Sequence, residues 1–226
     1  MSVLHSAKSF CAIISLAVFF GLLGFAYSFF GLLDKNQNIV SLEPFRLLTI
    51  NEIGGHFLFG VIVSIPMRNV KVSILMGLMA LTIDSDHLLN LTGFHIQARI
   101  DHSIPFGIMS SILMGLVAGR VYCKISRENR KHTTSHQTIS SFFIFFSLIS
   151  FSAFLSHISY DVFVDNKARF PLFAPVSFSE YIIPNNYGIP IEVAGFLAIV
   201  ILVYLPRISL MDGKPRLSFG LSTRPL

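Results

Sequence analysis

The stretch Leu81 to Asn90, "LTIDSDHLLN", sets Asp84, Asp86 and His87 at the end of an almost wholly apolar run over 72–83. Carboxylate oxygens and imidazole nitrogens are ligand types for divalent metals. Glu52 with His56, Asp101 with His102, and His157 with Asp161 repeat these residue types in three other apolar neighbourhoods. Glu52 and His56, like His157 and Asp161, are spaced i, i+4, and Asp84 and His87 are spaced i, i+3. On a helix each pair lies on one face, within reach of one ion. Asp86 points elsewhere unless the helix has unwound there; it would then serve a second ion or orient a ligand.

The elements that carry these residues are expected to be membrane helices. The 226 residues are 53% hydrophobic and 13% charged, with a mean hydropathy of +0.68, whereas soluble domains carry about 25% charged residues. Phe10 to Leu33 contains no charge, and Ile139 to Tyr160 holds only His157 among His, Asp, Glu, Lys and Arg. About 18 apolar residues in a row suffice for a transmembrane helix. The pattern predicts an all-α integral membrane bundle of about six helices, near 9–33, 47–66, 70–90, 102–123, 139–164 and 190–207. Pro66 punctuates the turn between the second and third. Residues 1–207 read as one membrane domain and 208–226 as a basic, flexible tail. The first segment is too long for a signal peptide and is read as an uncleaved helix. Cys11 and Cys123 sit at opposite ends of different segments, so no disulfide framework is indicated.

Lys and Arg orient such a bundle through their excess on the cytoplasmic side. With both termini cytoplasmic, twelve of the seventeen fall inside, while Lys35, Arg46, Arg99, Lys167 and Arg169 fall outside. That assignment, made from basic residues alone, puts His56, Asp84, Asp86, His87, His102, His157 and Asp161 at the outer ends of four helices. An unpaired charge at mid-membrane costs at least about 2.5–3.5 kcal/mol, and a shared cation converts such charges into ligands. This set is the expected metal site, with Glu52, His95 and Ser103 as accessory candidates. Some members have simpler readings. Glu52 can be a solvated first-turn acid, His95 a loop bystander, and Asp101 the N-cap of the helix opening at His102. His5, His132 and His136 fall on the inner side, and Gly115 to Gly119 reads as a helix-packing GxxxG.

Gly55-His56, Asp84-Ser85-Asp86-His87, Asp101-His102-Ser103 and His157-Ile158-Ser159-Tyr160-Asp161 occur in that order, followed by "FPLFAP" at Phe170 to Pro175. In motif order and spacing the chain resembles the YdjM-like family of bacterial and archaeal membrane-bound, metal-dependent hydrolases, over about residues 51–175. Asp101 stands where that family has Thr. The family's His-Arg pair is represented only by His95 and Arg99, and its Thr-Pro after the last motif is replaced by "VFVDNKARF". The family is distantly similar to the zinc-dependent phospholipase C and P1 nuclease group, so the resemblance implies phosphoester hydrolysis at a metal cluster.

The expected activity is therefore that of a metal-dependent phosphoester hydrolase. His56, Asp84, His102, His157, Asp161 and His87 would be ligands, with Asp86 a bridging ligand or the base and Asp84 the other catalytic carboxylate. One to three divalent ions are expected, zinc suiting the mixed ligand set and manganese also fitting. A site at headgroup depth suggests a lipid or lipid-linked phosphate offered sideways from the outer leaflet of a bacterial cytoplasmic membrane. Arg99, Lys167 and Arg169 are candidate contacts to its phosphate. No nucleic-acid partner is expected, and oligomeric state is not legible. An ion-coupled transporter is the alternative, since intramembrane Asp and His mark such pathways too, although no internal repeat is visible. A haem protein with paired histidines fits less well, because carboxylates do not help axial ligation.

Overall fold

The structure, a computed structural model, describes residues 2–33, 49–86, 99–129 and 136–208. Six α-helices lie within them: α1 Ser2–Ser28, α2 Ile50–Val63, α3 Val70–Thr82, α4 Ile104–Asn129, α5 His136–Val164 and α6 Gly188–Ile208. They follow the six segments predicted from hydropathy. Stretches in α1, α4, α5 and α6 are long and apolar enough to cross a membrane, at Phe10–Gly31, Ile104–Val121, Phe142–Val164 and, from just before α6, Asn185–Tyr204. α2 and α3 have 14 and 13 residues, hence about 20 Å each against about 30 Å of hydrocarbon. Among the described residues, four of the six expected spans are long enough to cross, and α2 and α3 form a shorter hairpin.

Local chemistry sets those short lengths. Thr49 opens α2 with a capping box: its side chain accepts from the Glu52 N–H, and the Glu52 carboxylate accepts from the Thr49 N–H at 2.7 Å. Pro66 sits in the 3-10 turn Ile65–Met67 that follows, and Arg68 turns the chain in the left-handed region at φ 50. Asn69 then caps α3 by accepting from the Lys71 and Val72 N–H groups. At its other end α3 tightens into the 3-10 turn Ile83–Asp86, where Asp84 (φ −66, ψ 18) leaves helical geometry. Of the helix predicted over 70–90, α3 itself ends at Thr82, and residues 87–90 lie outside the described residues.

Small residues bring the helices close. A Cβ at Gly60 would stand 2.6 Å from the Met76 carbonyl oxygen, so α2 and α3 touch backbone to backbone. On α4 the stripe Gly107, Gly115 and Gly119 faces Phe154, Ser147 and Phe143 of α5, and the GxxxG acts in packing, as expected. Phe20, Phe106, Met114, Ile149 and Phe154 fill the centre of the bundle. α1 is pinned to the end of α3 by Thr82 Oγ1 donating to Ala17 O at 3.2 Å and Ser85 Oγ donating to Gly21 O at 2.6 Å.

The all-α reading holds for the bundle but missed a small antiparallel hairpin between α5 and α6. Its strands β1 (Ala168–Phe170) and β2 (Tyr181–Ile183) pair with Phe170 opposite Tyr181. Three residues per strand give too little alternation to be read from sequence. The predicted tail, beyond Ile208, lies outside the described residues.

Candidate metal centre

Four parts of the chain converge at one end of the α4–α5 pair. His56 comes from the middle of α2, Asp84 from the turn after α3, His102 from a 3-10 turn just before α4, and His157 and Asp161 from the last turns of α5. All three imidazoles are buried, and the side chains of Asp84 and Asp161 are 2% and 13% exposed.

The three Nε2 atoms face the two carboxylates. His56 Nε2 lies 3.3 Å from Asp84 Oδ2 and 3.4 Å from Asp161 Oδ1. His102 Nε2 lies 3.0 Å from Asp161 Oδ2 and 3.7 Å from Asp84 Oδ1. His157 Nε2 lies 3.4 Å from Asp84 Oδ1 and 3.7 Å from Asp161 Oδ2. Donors about 2.0–2.2 Å from a common ion are separated by about these distances. Each carboxylate turns one oxygen to His56 and the other to the His102–His157 pair. His56, Asp84 and His157 form one set with metal-holding geometry, and His102, His157 and Asp161 form a second.

Outer partners orient the rings. His157 Nδ1 lies 2.7 Å from the Ala80 carbonyl oxygen. Ala80 is in the last turn of α3, whose carbonyls lack intrahelical partners, and the early stop of that helix frees this oxygen. A carbonyl only accepts, so Nδ1 carries a hydrogen, which leaves Nε2 as the ring atom aimed at the cluster and available to a ligand. His102 Nδ1 lies 2.7 Å from Asp101 Oδ1, both groups fully buried. Burial pushes the Asp101 carboxyl up to about 8, the Asp84 charge adding to this and Arg99 opposing it. One proton is shared across that bond. On Nδ1 it leaves a lone pair on His102 Nε2; on Asp101 it puts a hydrogen there.

Aromatic rings wall the centre. His56 stacks on His157 with centroids 4.1 Å apart and meets Tyr160 edge-on at 4.5 Å. Tyr160 donates to the Asn51 carbonyl at 3.0 Å, tying α5 to the start of α2. Gly55 makes room: a Cβ there would collide with the Tyr160 ring. Phe170 lies parallel to His102 at 5.3 Å, and the Arg99 guanidinium carbon is 5.8 Å from the Phe170 centroid. Arg99, 35% exposed, reaches the carboxylates at 3.0 Å (Asp161 Oδ2) and 3.4 Å (Asp84 Oδ1).

The structure thus joins His56, Asp84, His102, His157, Asp161 and Arg99, all proposed from sequence. Other candidates go elsewhere. Glu52 serves the α2 capping box, not the cluster. Ser103 is the N-cap of α4, its Oγ accepting from the Phe106 N–H at 3.3 Å. That corrects the expectation for Asp101, which is no cap but the buried partner of His102. Lys167, just before β1, and Arg169, within it, are exposed, and among the described residues no side-chain hydrogen bond or ion pair links either to the cluster. Asp86 closes the 3-10 turn, but its side chain, His87 and His95 lie outside the described residues. Sequence reasoning missed Asp101, Phe170 and the Ala80 carbonyl. Only Asp101 left a signal, a carboxylate beside a ligand histidine, since such histidines usually hydrogen-bond a carboxylate or carbonyl.

No protein-family model, curated protein or solved structure matches the chain. The resemblance to the YdjM-like family rests on its motifs.

Proposed function

We propose that the chain is a membrane-embedded, metal-dependent hydrolase of phosphoesters, with His56, Asp84, His102, His157 and Asp161 holding one or two divalent ions. The observation that carries the metal is His157. Its Nδ1 is committed to Ala80, so its inward lone pair faces carboxylate oxygens and a second imidazole nitrogen only 2.9 Å away. With a hydrogen on each Nδ1, these electron-rich atoms call for a cation among them, and the donor set suits zinc or manganese. When bound, such an ion acidifies water and polarises a phosphoryl oxygen.

The residues divide the remaining work. Asp161 is the carboxylate that solvent can reach, and it is placed to accept a proton from an attacking water. The water oxygen bonds to phosphorus, the ester oxygen leaves, and that proton passes to the leaving alcohol. Arg99, already against the carboxylates, supplies the planar donor fork suited to a phosphate. Asp101 holds His102 in place, while Tyr160 and Phe170 narrow the approach for water. The motif resemblance favours the phosphoester class, and the basic-residue asymmetry favours an extracytoplasmic site in a bacterial inner membrane. Four of the five proposed ligands lie at or just beyond helix ends, which favours an enzyme over an ion-coupled carrier, whose sites lie near the midplane.

The test is metal analysis of the purified chain with a phosphate-release screen over lipid phosphates, with and without chelator. Stoichiometric zinc or manganese and chelator-sensitive release, both lost in Asp161→Ala, are expected. Protein purified without chelator that holds no metal would overturn the reading, the cation then being a proton.

A further inference from the structure

An apolar groove of about 510 Å³ runs along the outside of α4, lined by Ile104, Ile108, Met109, Ile112, Leu113 and Phe173. The α4 residues fall in two adjacent i, i+4 rows, so the groove follows the helix axis for about 14 Å. It begins at Ile104, two residues after His102, and leads away from the cluster along the apolar stretch Ile104–Val121. One short loop joins groove and centre. Its Phe170 stacks on His102, its Leu172 carbonyl accepts from the Ile104 N–H at 3.0 Å, and its Phe173 lines the groove. Tyr27 of α1 holds that loop by donating to the Ala174 carbonyl at 2.9 Å.

We propose that this groove is the tail subsite of the same centre, taking the alkyl chain of a phosphate-headed membrane lipid whose head meets Arg99 and the metal ligands. The proposal rests on the hydrolase reading and names its substrate class. The order of chemistry along α4 is that of an amphiphile in a leaflet. Cationic and metal-ligating groups stand at the helix start, and a wholly apolar channel runs on into the span. A chain moving from bilayer to groove gains nothing from leaving water, so selection here comes from shape and from the anchored head. A short, water-soluble phosphate would meet the same Arg99 but leave the groove unused.

The test reconstitutes the full chain in vesicles of phosphate-free digalactosyldiacylglycerol with a trace of alkyl phosphate carrying a photoactivatable tail, then maps the label. Label is expected to concentrate on 104–113 and Phe173. It should fall at least fivefold in Ile108→Trp, which fills the groove, and hold in Val18→Trp on the exposed face of α1. Equal labelling of α1 and α4 would overturn the proposal. So would equal groove labelling by a long-chain alcohol with the same photoactivatable tail, because the phosphate head would then not matter. Selective labelling without any phosphate release would leave the tail site standing and sink the hydrolase. Release from soluble phosphates without groove labelling would do the reverse.

Discussion

The Nε2 atoms of His102 and His157 lie 2.9 Å apart in a buried site, with the Nδ1 of each ring held by its own partner, Asp101 Oδ1 and Ala80 O. With a hydrogen on each Nδ1, the two Nε2 lone pairs face each other at that separation and repel unless a cation lies between or beside them. A proton satisfies only the pair. A metal ion also satisfies the oxygens of Asp84 and Asp161, which both nitrogens face.

That difference predicts a linkage between metal and stability. An ion bound at 100 times its dissociation constant stabilises the fold by about 2.7 kcal/mol. Chelator should therefore lower the thermal midpoint of the wild type in detergent by several degrees, and that of His157→Ala hardly at all. Equal responses of the two proteins would mean that the histidine holds no metal.

Asp101 gives a sharper prediction because it touches no presumptive ion. Asp101→Asn keeps the volume but removes the carboxyl that shares a proton with His102 Nδ1. Loss of such outer partners typically costs 10–100-fold in metal affinity or activity, and a drop in that range is expected in metal titrations. An affinity within twofold of the wild type would reduce Asp101 to a packing residue.

Gly54 and Gly55 form an internal control. Both lie in α2, where Ala is preferred to Gly by about 1 kcal/mol. A Cβ at Gly54 meets nothing within 4 Å, so Gly54→Ala should raise the thermal midpoint. A Cβ at Gly55 runs into the Tyr160 ring, and overpacking of that kind costs about 1–3 kcal/mol. Gly55→Ala should lower the midpoint and weaken metal binding, since Tyr160 walls His56. Parallel shifts in the two variants would remove the close contact from the account.

Much of this site was legible because a membrane magnifies its signals. In a chain with so few charges, His157 and Asp161 one turn apart near the end of an apolar run have few bland explanations, and His56, Asp84 and His102 are placed with them by helix order alone. Features made by backbone geometry were not legible. Nothing in "LTIDSD" says that the helix stops at Thr82, yet that stop frees the Ala80 carbonyl for His157. Asp101 was misread because Asp is a common N-cap, and Ser103, two residues on, caps α4 instead. Phe170 reaches His102 through a strand too short to leave a pattern.

Glu52 tests the opposite kind of error, a residue that spacing alone would place in the site. It stands i, i+4 from His56, as His157 does from Asp161, but the N-terminus of α2 turns it away. Its carboxylate accepts from the Thr49 N–H at 2.7 Å and from the Thr49 hydroxyl at 3.0 Å, in reciprocity with the Glu52 N–H. Such caps are worth about 0.3–1.5 kcal/mol. Glu52→Ala should therefore lower the thermal midpoint and leave metal content unchanged, and Glu52→Gln, which can still accept from the Thr49 N–H, should recover most of the loss. Asp161→Ala should do the contrary, emptying the site of metal. If Glu52→Ala also stripped the ion, the carboxylate would have to swing from cap to cluster when metal binds, and α2 would start differently in the loaded protein.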